Sequence, residues 1–306
     1  MIEKIFVLGT GRCGTHTLNE IFNTIPDTVS LHEGRGYYSG CNVDLGAMNG
    51  LNIYLYHSLN RVKTEEEFYN LSGNVLKLLD KNFTARKKFI ETLEKKEIHY
   101  CDVNRMGYNY IDYIRREYPE AKFIHLIRNG YDCVKSWHKR TGAYPNPKTR
   151  FRKKKNYIFE KLIIRNLGIN NTLSPIDLYI LSNRKFKYYA YDKPIPMEKI
   201  LSQIEWNNYD RLEKISWFWA YTNNIINDKL MNVPEHLRKQ IKIEEFNVDR
   251  VKELLEFAGL KDDFDKSMVK AHDVGKNLKL VCSEENKNKF NRIAGDTMLN
   301  FGYQLR

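Results

Sequence analysis

Residues 4–22 of this chain read KIFVLGTGRCGTHTLNEIF, and they decide the fold class. The apolar run Lys4–Leu8 predicts a buried strand, and residues 18–22 predict a helix. The three glycines between them allow a tight turn whose backbone N–H groups point into one concavity. Because the N-terminus of the following helix adds partial positive charge, the stretch predicts a phosphate-binding turn in an α/β protein.

The side chains of this turn indicate what kind of phosphate site it forms. Arg12 is a permanent cation that can donate two hydrogen bonds to one anion, and Thr15 and Thr17 are hydroxyl donors. The turn nearly fits the nucleoside triphosphate pattern G-x-x-x-x-G-K-[ST], but Thr15 occupies the lysine position. Since that lysine binds the β- and γ-phosphates, its absence argues against ATP or GTP chemistry. A degenerate site of that type, with Asp102 as the acidic residue that closes a strand, stays open.

A second candidate anion site lies in residues 122–138, which read KFIHLIRNGYDCVKSWH. A predicted strand ends at Arg128, and Ser136 follows eight positions later inside a predicted helix. Ligands of open α/β sheets bind at the carboxyl ends of the strands, so Arg128 and Ser136 could close on one phosphate. The other interpretation, in which Arg128 only ends the strand and Ser136 faces solvent, stays open as well.

Strand and helix patterns alternate along most of the chain, which predicts a three-layer α/β fold with a central parallel sheet flanked by helices. We expect a single domain, residues 1–306, with irregular or helical insertions at about 34–97 and 139–205. Residues 34–50 predict a mobile surface loop, 64–96 one or two helices, and 139–155 an irregular basic segment. The further predicted strands are 28–31, 98–103 and 241–243, and the further predicted helices are 108–117, 212–230, 248–257 and 286–300.

Composition limits the partners and the compartment. The chain has 50 Lys and Arg against 38 Asp and Glu, a net charge of +12, which favours anionic partners of any kind. No apolar run reaches the roughly 18 residues of a spanning helix, so no membrane association is expected. Five scattered cysteines without a C-x-x-C pair predict free thiols in a reducing, cytoplasmic protein. No metal site is expected, since no His, Cys, Asp or Glu set has ligand spacing.

The two phosphate-type segments together resemble the PAPS-dependent sulfotransferases, whose donor is 3′-phosphoadenosine 5′-phosphosulfate (PAPS). Residues 11–15, GRCGT, match the family's 5′-phosphosulfate loop, in which [RK]-[SC]-G-T follows the first strand. Arg128 and Ser136 match the family's 3′-phosphate pair, whose Arg and Ser are also eight positions apart. Residues 241–246, 257–260 and 298–303 look like later elements of its bacterial members. The resemblance implies a P-loop-type fold and covers most of the chain in its order of elements.

This resemblance implies transfer of a sulfuryl group from PAPS to a hydroxyl or amine, with release of adenosine 3′,5′-bisphosphate (PAP) and without a metal. It makes Glu33, at the predicted end of the second strand, the first candidate for the general base and His32 the second. Arg12 would stabilise the charge that develops on the leaving phosphate. Two features depart from the family: His16 replaces the usual Thr or Ser, and the R-K-G clamp of the animal enzymes is absent. The residues expected to bind the donor are Gly11, Arg12, Cys13, Gly14, Thr15, His16, Thr17, Arg128 and Ser136.

Two other functions remain open on the sequence alone. One is a magnesium-dependent P-loop kinase with a degenerate turn, and the other is a basic nucleic-acid-binding module. Because the cations are spread widely and no recognised nucleic-acid motif appears, no nucleic-acid partner is expected. The acceptor is expected to be a small molecule. The tyrosine-rich residues 36–40 are expected to form part of its binding pocket. The sequence sets no oligomeric state.

Overall fold

The computed structural model describes residues 2–45, 83–105, 107–139, 201–270 and 283–305. Within these ranges the strands are β1 (Lys4–Leu8), β2 (Thr28–His32), β3 (Arg35–Tyr38), β4 (Cys41–Asp44), β5 (His99–Val103), β6 (Lys122–Ile127) and β7 (Arg238–Lys242). They form one sheet in the order β4-β3-β2-β5-β1-β6-β7. The five strands from β2 to β7 in this order are parallel, and β3 and β4 extend the sheet antiparallel at one edge.

Helices cover both faces of the sheet. On one face, apolar side chains of β1, β5 and β6 pack against two helices that carry Leu18 and Leu254. On the other face, Phe6 of β1 and Phe123 of β6 pack against helices that carry Ile111 and Ile226. The three-layer α/β fold predicted from the sequence is therefore confirmed. The described helices are α1 (Thr15–Phe22), α2 (83–94), α3 (Ile111–Glu117), α4 (Gly130–Lys139), α5 (Gln203–Asn208), α6 (Arg211–Met231), α7 (Val248–Ala258), α8 (Ser267–Lys270) and α9 (Glu284–Asn300).

Local signals account for the principal strands and helices. β1, β5 and β6 lie inside the sheet and are almost wholly buried. β1 and β6 are therefore mostly apolar runs rather than alternating ones, while β5 also buries the carboxylate of Asp102. Helix α6 begins at a capping box, in which Asp210 accepts from the backbone N–H of Glu213 and the Glu213 side chain accepts from the N–H of Asp210. Helix α7 ends at Gly259, whose φ of 72° is the left-handed cap that favours glycine.

The described part of residues 34–50 differs from the surface loop predicted there. Strands β3 and β4 form a hairpin in which Tyr38 lies opposite Cys41. The two residues between them, Ser39 and Gly40, have φ values of 50° and 81°, and positive φ at both positions defines the type I′ turn that matches the twist of paired strands. The glycines of this segment therefore make a hairpin rather than a loop, and the sheet is mixed rather than wholly parallel. Residues 46–50 lie outside the described residues.

Two further differences concern the second half of the chain. The last strand is Arg238–Lys242 rather than 241–243, because its polar sequence RKQIK gives only Ile241 as an apolar signal. The predicted helices over 64–96 are observed at 83–94, and residues 64–82 lie outside the described part. The basic stretch 140–155 and most of the predicted 139–205 insertion also lie outside it. The single-domain organisation stays a prediction.

His125 is buried inside β6, as its place in an apolar strand predicts. It is 1% exposed, and its Nε2–H donates to Oδ1 of Asn223 at 3.1 Å. Burial lowers the pKa of His125 to about 4, so the native protein keeps this ring neutral while the unfolded chain protonates it below about 6.5. His125 therefore costs no stability above pH 6.5, and stability is lost progressively as the pH falls from 6.5 toward 4.

We expect the titration of His125 to lower the free energy of unfolding by about 2–3 kcal/mol between pH 7 and pH 4.5. The measurement is urea unfolding of the wild type and His125→Gln, whose amide can still donate to Asn223. The difference between the two proteins should be constant above pH 7 and should shift in favour of the variant at pH 4.5. Parallel pH profiles of the two proteins would contradict the buried neutral imidazole.

Candidate active site

The parallel strands bring residues from distant parts of the chain to one edge of the sheet. Glu33 follows β2, Arg105 lies two residues after β5, the glycine turn follows β1, and Arg128 follows β6. Because the strand order is β2-β5-β1-β6, these groups stand in the order Glu33, Arg105, turn, Arg128 along the carboxyl edge. This is the edge at which open α/β sheets bind their ligands.

The turn after β1 has the backbone of an anion cradle. Gly11, Arg12 and Gly14 have φ values of 71°, 61° and 94°, all in the left-handed region, and Arg12 is the non-glycine among them. Such a conformation costs a non-glycine residue free energy and is found where a functional geometry holds it in place. Gly14 is the N-cap of α1 and no side chain caps that helix. Its first-turn N–H groups therefore point toward the same turn.

Packing beneath the turn accounts for Gly9 and Cys13. A Cβ on Gly9 would lie 2.7 Å from Sγ of Cys13 and 2.7 Å from the carbonyl oxygen of Leu126, so only glycine fits. Cys13 is fully buried, and burial raises the pKa of its thiol to about 11. The Cys13 thiol thus stays protonated and packs below the turn, which leaves its backbone N–H as the group it can offer an anion.

The two predicted phosphate segments are in direct contact. Nε of Arg12 donates to Oγ of Ser136 at 2.9 Å, and Nη1 of Arg128 donates to the carbonyl oxygen of Arg12 at 3.0 Å. The backbone of Arg128 is held in turn by Trp219, whose Nε1–H donates to its carbonyl oxygen at 3.2 Å. Ser136 is 9% exposed and faces the turn, which excludes the interpretation that it is a surface residue.

The remaining predicted residues of the turn lie at different depths. Thr15 is buried and lies in the first turn of α1, and Thr17 is half-buried beside it. The side chain of His16 is 74% exposed and its Nε2 lies 3.3 Å from Oε1 of Glu20, one helical turn further along the surface of α1. The structure therefore brings Thr15 into the turn and leaves the imidazole of His16 on the outer face of the helix.

His32 and Glu33, the two candidates for the base, face different partners. Nε2 of His32 lies 3.4 Å from Oγ1 of Thr15, and its ring centroid is 5.5 Å from that of His16. Burial holds the pKa of His32 below its ordinary value, so its imidazole is neutral at neutral pH. Glu33 adopts a left-handed φ of 55°, and its carboxylate turns toward β5 instead. His32 thus lies next to the glycine turn, and the carboxylate of Glu33 lies next to Arg105, beyond the end of β5.

Arg105 is a candidate site residue that sequence reasoning missed. Its Nε donates to Oε1 of Glu33 at 2.5 Å, and its guanidinium carbon lies 5.7 Å from the centroid of the Trp137 ring. Its Cδ lies 3.0 Å from the point that a Cβ on Gly11 would occupy, so the stem crosses the turn. The signal available in the sequence was a cation two residues beyond a predicted strand, at the edge where Arg128 also lies.

Asp102 forms hydrogen bonds within the core. It was the candidate acidic residue of a degenerate triphosphate site. It is fully buried, and its Oδ2 accepts from Nε of Arg86 at 2.9 Å and from the hydroxyl of Tyr100 at 3.1 Å. This carboxylate oxygen is therefore committed to a structural ion pair between β5 and α2, which argues against Asp102 as the acidic residue of a triphosphate site.

The described ranges also bear on metal sites and membrane spans. They contain no cluster of three or more His, Cys, Asp or Glu side chains with the geometry of a metal site. In the same part of the chain, no helix is long and apolar enough to cross a membrane.

Comparison with known proteins identifies related sequences and folds. The model of a family described as the Sulfotransferase family matches residues 4–156, half of this chain. Among solved structures, sulfotransferase STF9 from Mycobacterium avium is similar with a TM-score of 0.50 and 10% identity, over 99% of this chain and 78% of its own, which supports the fold alone. A sulfotransferase from Alicyclobacillus acidocaldarius gives 0.46 and 14%, over 100% and 98%. The sulfotransferase domain from the curacin biosynthetic pathway gives 0.41 and 10%, over 100% and 99%. No curated protein sequence matches the chain.

Proposed function

Because the chain belongs to the sulfotransferase family, we propose that it transfers a sulfuryl group from PAPS to a hydroxyl or amine of a small molecule and releases PAP. The observation that carries this proposal is the contact between the two anion segments. Arg12 of the turn reaches Ser136, and Arg128 reaches the backbone of Arg12, so the cations at the 5′ and 3′ candidate sites stand side by side. A nucleotide with phosphate groups at both its 5′ and 3′ positions has a charge distribution that suits this pair.

The residues of the turn fit the 5′ end of such a donor. The left-handed backbone at Gly11, Arg12 and Gly14 and the N-terminus of α1 offer N–H donors, and Thr15 follows them in the first turn of that helix. Phosphate groups bind well at helix N-termini because the partial positive charge and the N–H groups act together. Arg128 and Ser136, on β6 and α4, are proposed to hold the 3′-phosphate, Arg128 through a fork of charge-assisted hydrogen bonds.

The proposed chemistry needs charge stabilisation on one side and a proton acceptor on the other. As the bond between sulfur and the acceptor oxygen forms, the bond between sulfur and the bridging phosphate oxygen breaks, and negative charge grows on the leaving phosphate. In this proposal Arg12 and the N–H groups of the turn lie beside the leaving phosphate, and such preorganised donors are typically the largest catalytic contribution. Glu33 is the proposed base, which accepts the proton of the acceptor hydroxyl as the new bond forms.

The experiment that tests the function is a thermal-shift titration with PAP, adenosine 5′-phosphate, and ATP with Mg²⁺. We expect PAP at 100 times its Kd to stabilise the protein by about 2.7 kcal/mol, and adenosine 5′-phosphate to have much less effect. In Arg128→Ala the preference for PAP over adenosine 5′-phosphate should fall about 10- to 100-fold, because a charge-assisted contact to the 3′-phosphate is lost. Arg250→Ala, which removes an exposed arginine paired with Glu253, is the matched control and should retain the preference.

Other outcomes of this titration identify the alternatives. Stabilisation by ATP that requires Mg²⁺ and exceeds that by PAP would favour the kinase. A lack of preference for PAP, together with oligonucleotide binding that weakens steeply with salt in a parallel filter-binding assay, would favour the nucleic-acid module. Either result would contradict the proposed sulfotransferase donor.

The proposal extends to the compartment. We place the protein in the cytoplasm, supported by the four cysteines of the described ranges, which are all free thiols.

A further inference from the structure

The ion pair between Glu33 and Arg105 lies where the acceptor and the sulfuryl group of the proposed reaction would meet. Glu33 ends β2, Arg105 follows β5, and β5 lies between β2 and the strand that carries the turn. The two side chains are 26% and 15% exposed, so the pair is shielded from solvent but open to a ligand at this edge. A pair at this depth is screened less than a surface pair.

Arg105 is also within reach of the anion turn. Its stem passes over Gly11 at the distance where a Cβ would touch it, and the indole of Trp137 lies against both groups. Gly11 thus leaves the room through which the guanidinium approaches the turn. The same cation is therefore placed between two anionic partners, the carboxylate of Glu33 and an anion in the turn.

The proposed base, Glu33, is thus paired with the guanidinium of Arg105, which the anionic donor would also attract. A guanidinium forms strong, geometrically specific hydrogen bonds to carboxylates and to oxyanions such as a sulfonate. A carboxylate whose oxygen accepts from Arg105 must give up that contact before it can accept a proton from an acceptor hydroxyl in the same direction. A sulfonate in the turn brings three oxygens and negative charge to the other side of the same guanidinium.

We propose that Arg105 is a latch, which binds Glu33 in the free protein and exchanges it for the sulfonate of the donor. This inference rests on the proposed function and deepens it. The carboxylate of Glu33 becomes available as a base when the sulfonate is in place, and Arg105 then contacts the oxygens of the group being transferred. No bond is made or broken in the exchange, which trades one ion pair for another. After transfer, PAP carries no sulfonate, Glu33 releases the accepted proton to solvent, and its carboxylate regains Arg105.

The latch predicts opposite effects on donor affinity for its two members. Glu33→Gln removes the competing carboxylate, so PAPS should bind about 3- to 10-fold more tightly than to the wild type, as expected when a competent conformation rises from a minor to the major population. Arg105→Met removes the cation, so PAPS should bind about 10- to 100-fold more weakly. PAP lacks the sulfonate, so its Kd should stay within about 3-fold of the wild-type value in both variants. The double variant should behave as Arg105→Met alone, because the latch acts through Arg105.

The test measures the Kd of PAP by isothermal titration calorimetry and then the Kd of PAPS by its competition with bound PAP. The competition is done at low temperature and is completed before PAPS releases measurable PAP. Arg35→Gln and Asp44→Asn are matched controls, because Arg35 and Asp44 form an exposed ion pair on the neighbouring hairpin. Neither should change the Kd of PAPS or PAP. Thermal unfolding of each variant shows whether it is folded at the titration temperature. If Arg105→Met does not fold, Glu33→Gln still tests the latch.

Three results would overturn the latch. PAPS affinity of Glu33→Gln equal to or weaker than that of the wild type would show that the carboxylate does not compete for Arg105. Equal weakening of PAP and PAPS in Arg105→Met would assign Arg105 to general phosphate binding or to structure. Absence of PAP binding in the wild type would remove the proposed function and the latch with it, which separates that failure from the other two.

Discussion

Glu33→Gln is expected to lower the rate of sulfuryl transfer by roughly 10²–10⁴-fold, because an amide cannot accept the acceptor's proton and general base catalysis typically contributes that factor. The substitution keeps the size of the side chain and removes its charge. PAP binding should be retained, since the proposed phosphate-binding residues are Arg12, Arg128, Ser136 and the turn, and the hydrogen bonds that join these segments do not involve Glu33. The expected signature is therefore a loss in kcat without a loss of nucleotide binding.

The assay first screens phenols, sugars and amines as acceptors by PAP release from PAPS, and then compares the variants with the best of them. Asp44→Asn is the matched control, because it makes the same kind of carboxylate-to-amide change at an exposed site of the same sheet. Turnover of Glu33→Gln within about 3-fold of the wild type would show that Glu33 is not the base. Equivalent loss in His32→Gln but not in Glu33→Gln would transfer the role to His32, whose neutral imidazole adjoins Thr15.

Arg86→Met is expected to destabilise the protein by about 3–5 kcal/mol, because it leaves Asp102 as an uncompensated buried charge. Arg86 is 1% exposed and Asp102 is fully buried. Nε of Arg86 donates to Asp102, and its Nη1 donates to the carbonyl oxygen of Leu45 at 3.3 Å. The measurement is urea unfolding at pH 7, and a thermal midpoint gives an independent check.

The double variant Arg86→Met/Asp102→Leu distinguishes loss of the pair from general damage to the core. Replacing both charges by apolar groups should recover most of the lost stability, since a buried pair offsets little more than its own desolvation cost. Arg250→Met, at an exposed arginine, should change stability by less than about 0.5 kcal/mol. A loss below about 1 kcal/mol in Arg86→Met would contradict a committed structural role for this pair.

Local sequence patterns predicted the parts of the fold that depend on local chemistry. β1, β6 and α1 follow from apolar runs and glycines that lie next to one another in the sequence. The hairpin of β3 and β4 was missed because its glycines and tyrosines are compatible with a loop. The hairpin is distinguished from a loop by the positive φ at both Ser39 and Gly40. Amino-acid composition does not determine these backbone angles.

The candidate site was predictable to a similar extent and for similar reasons. Arg12, Arg128 and Ser136 were recognised within two short segments, and the structure shows that they touch. Arg105 was missed because its importance lies in its neighbours Glu33 and Gly11, which are separated from it by more than seventy residues. Periodicity identifies a strand, but the order of strands in the sheet decides which strand ends meet, and a single sequence does not specify that order.

The strand order also has a consequence for how this protein matures during synthesis. Phe6 pairs in the sheet with Asp102 and Phe123, so β1 has no parallel partner until more than ninety further residues have been made. At about 5–20 residues per second, the nascent chain carries an exposed apolar β1 for several seconds or more. High contact order of this kind slows folding and lengthens the need for chaperones. The turn that follows β1 is therefore synthesised well before β5 and β6, the two strands that flank β1 in the sheet.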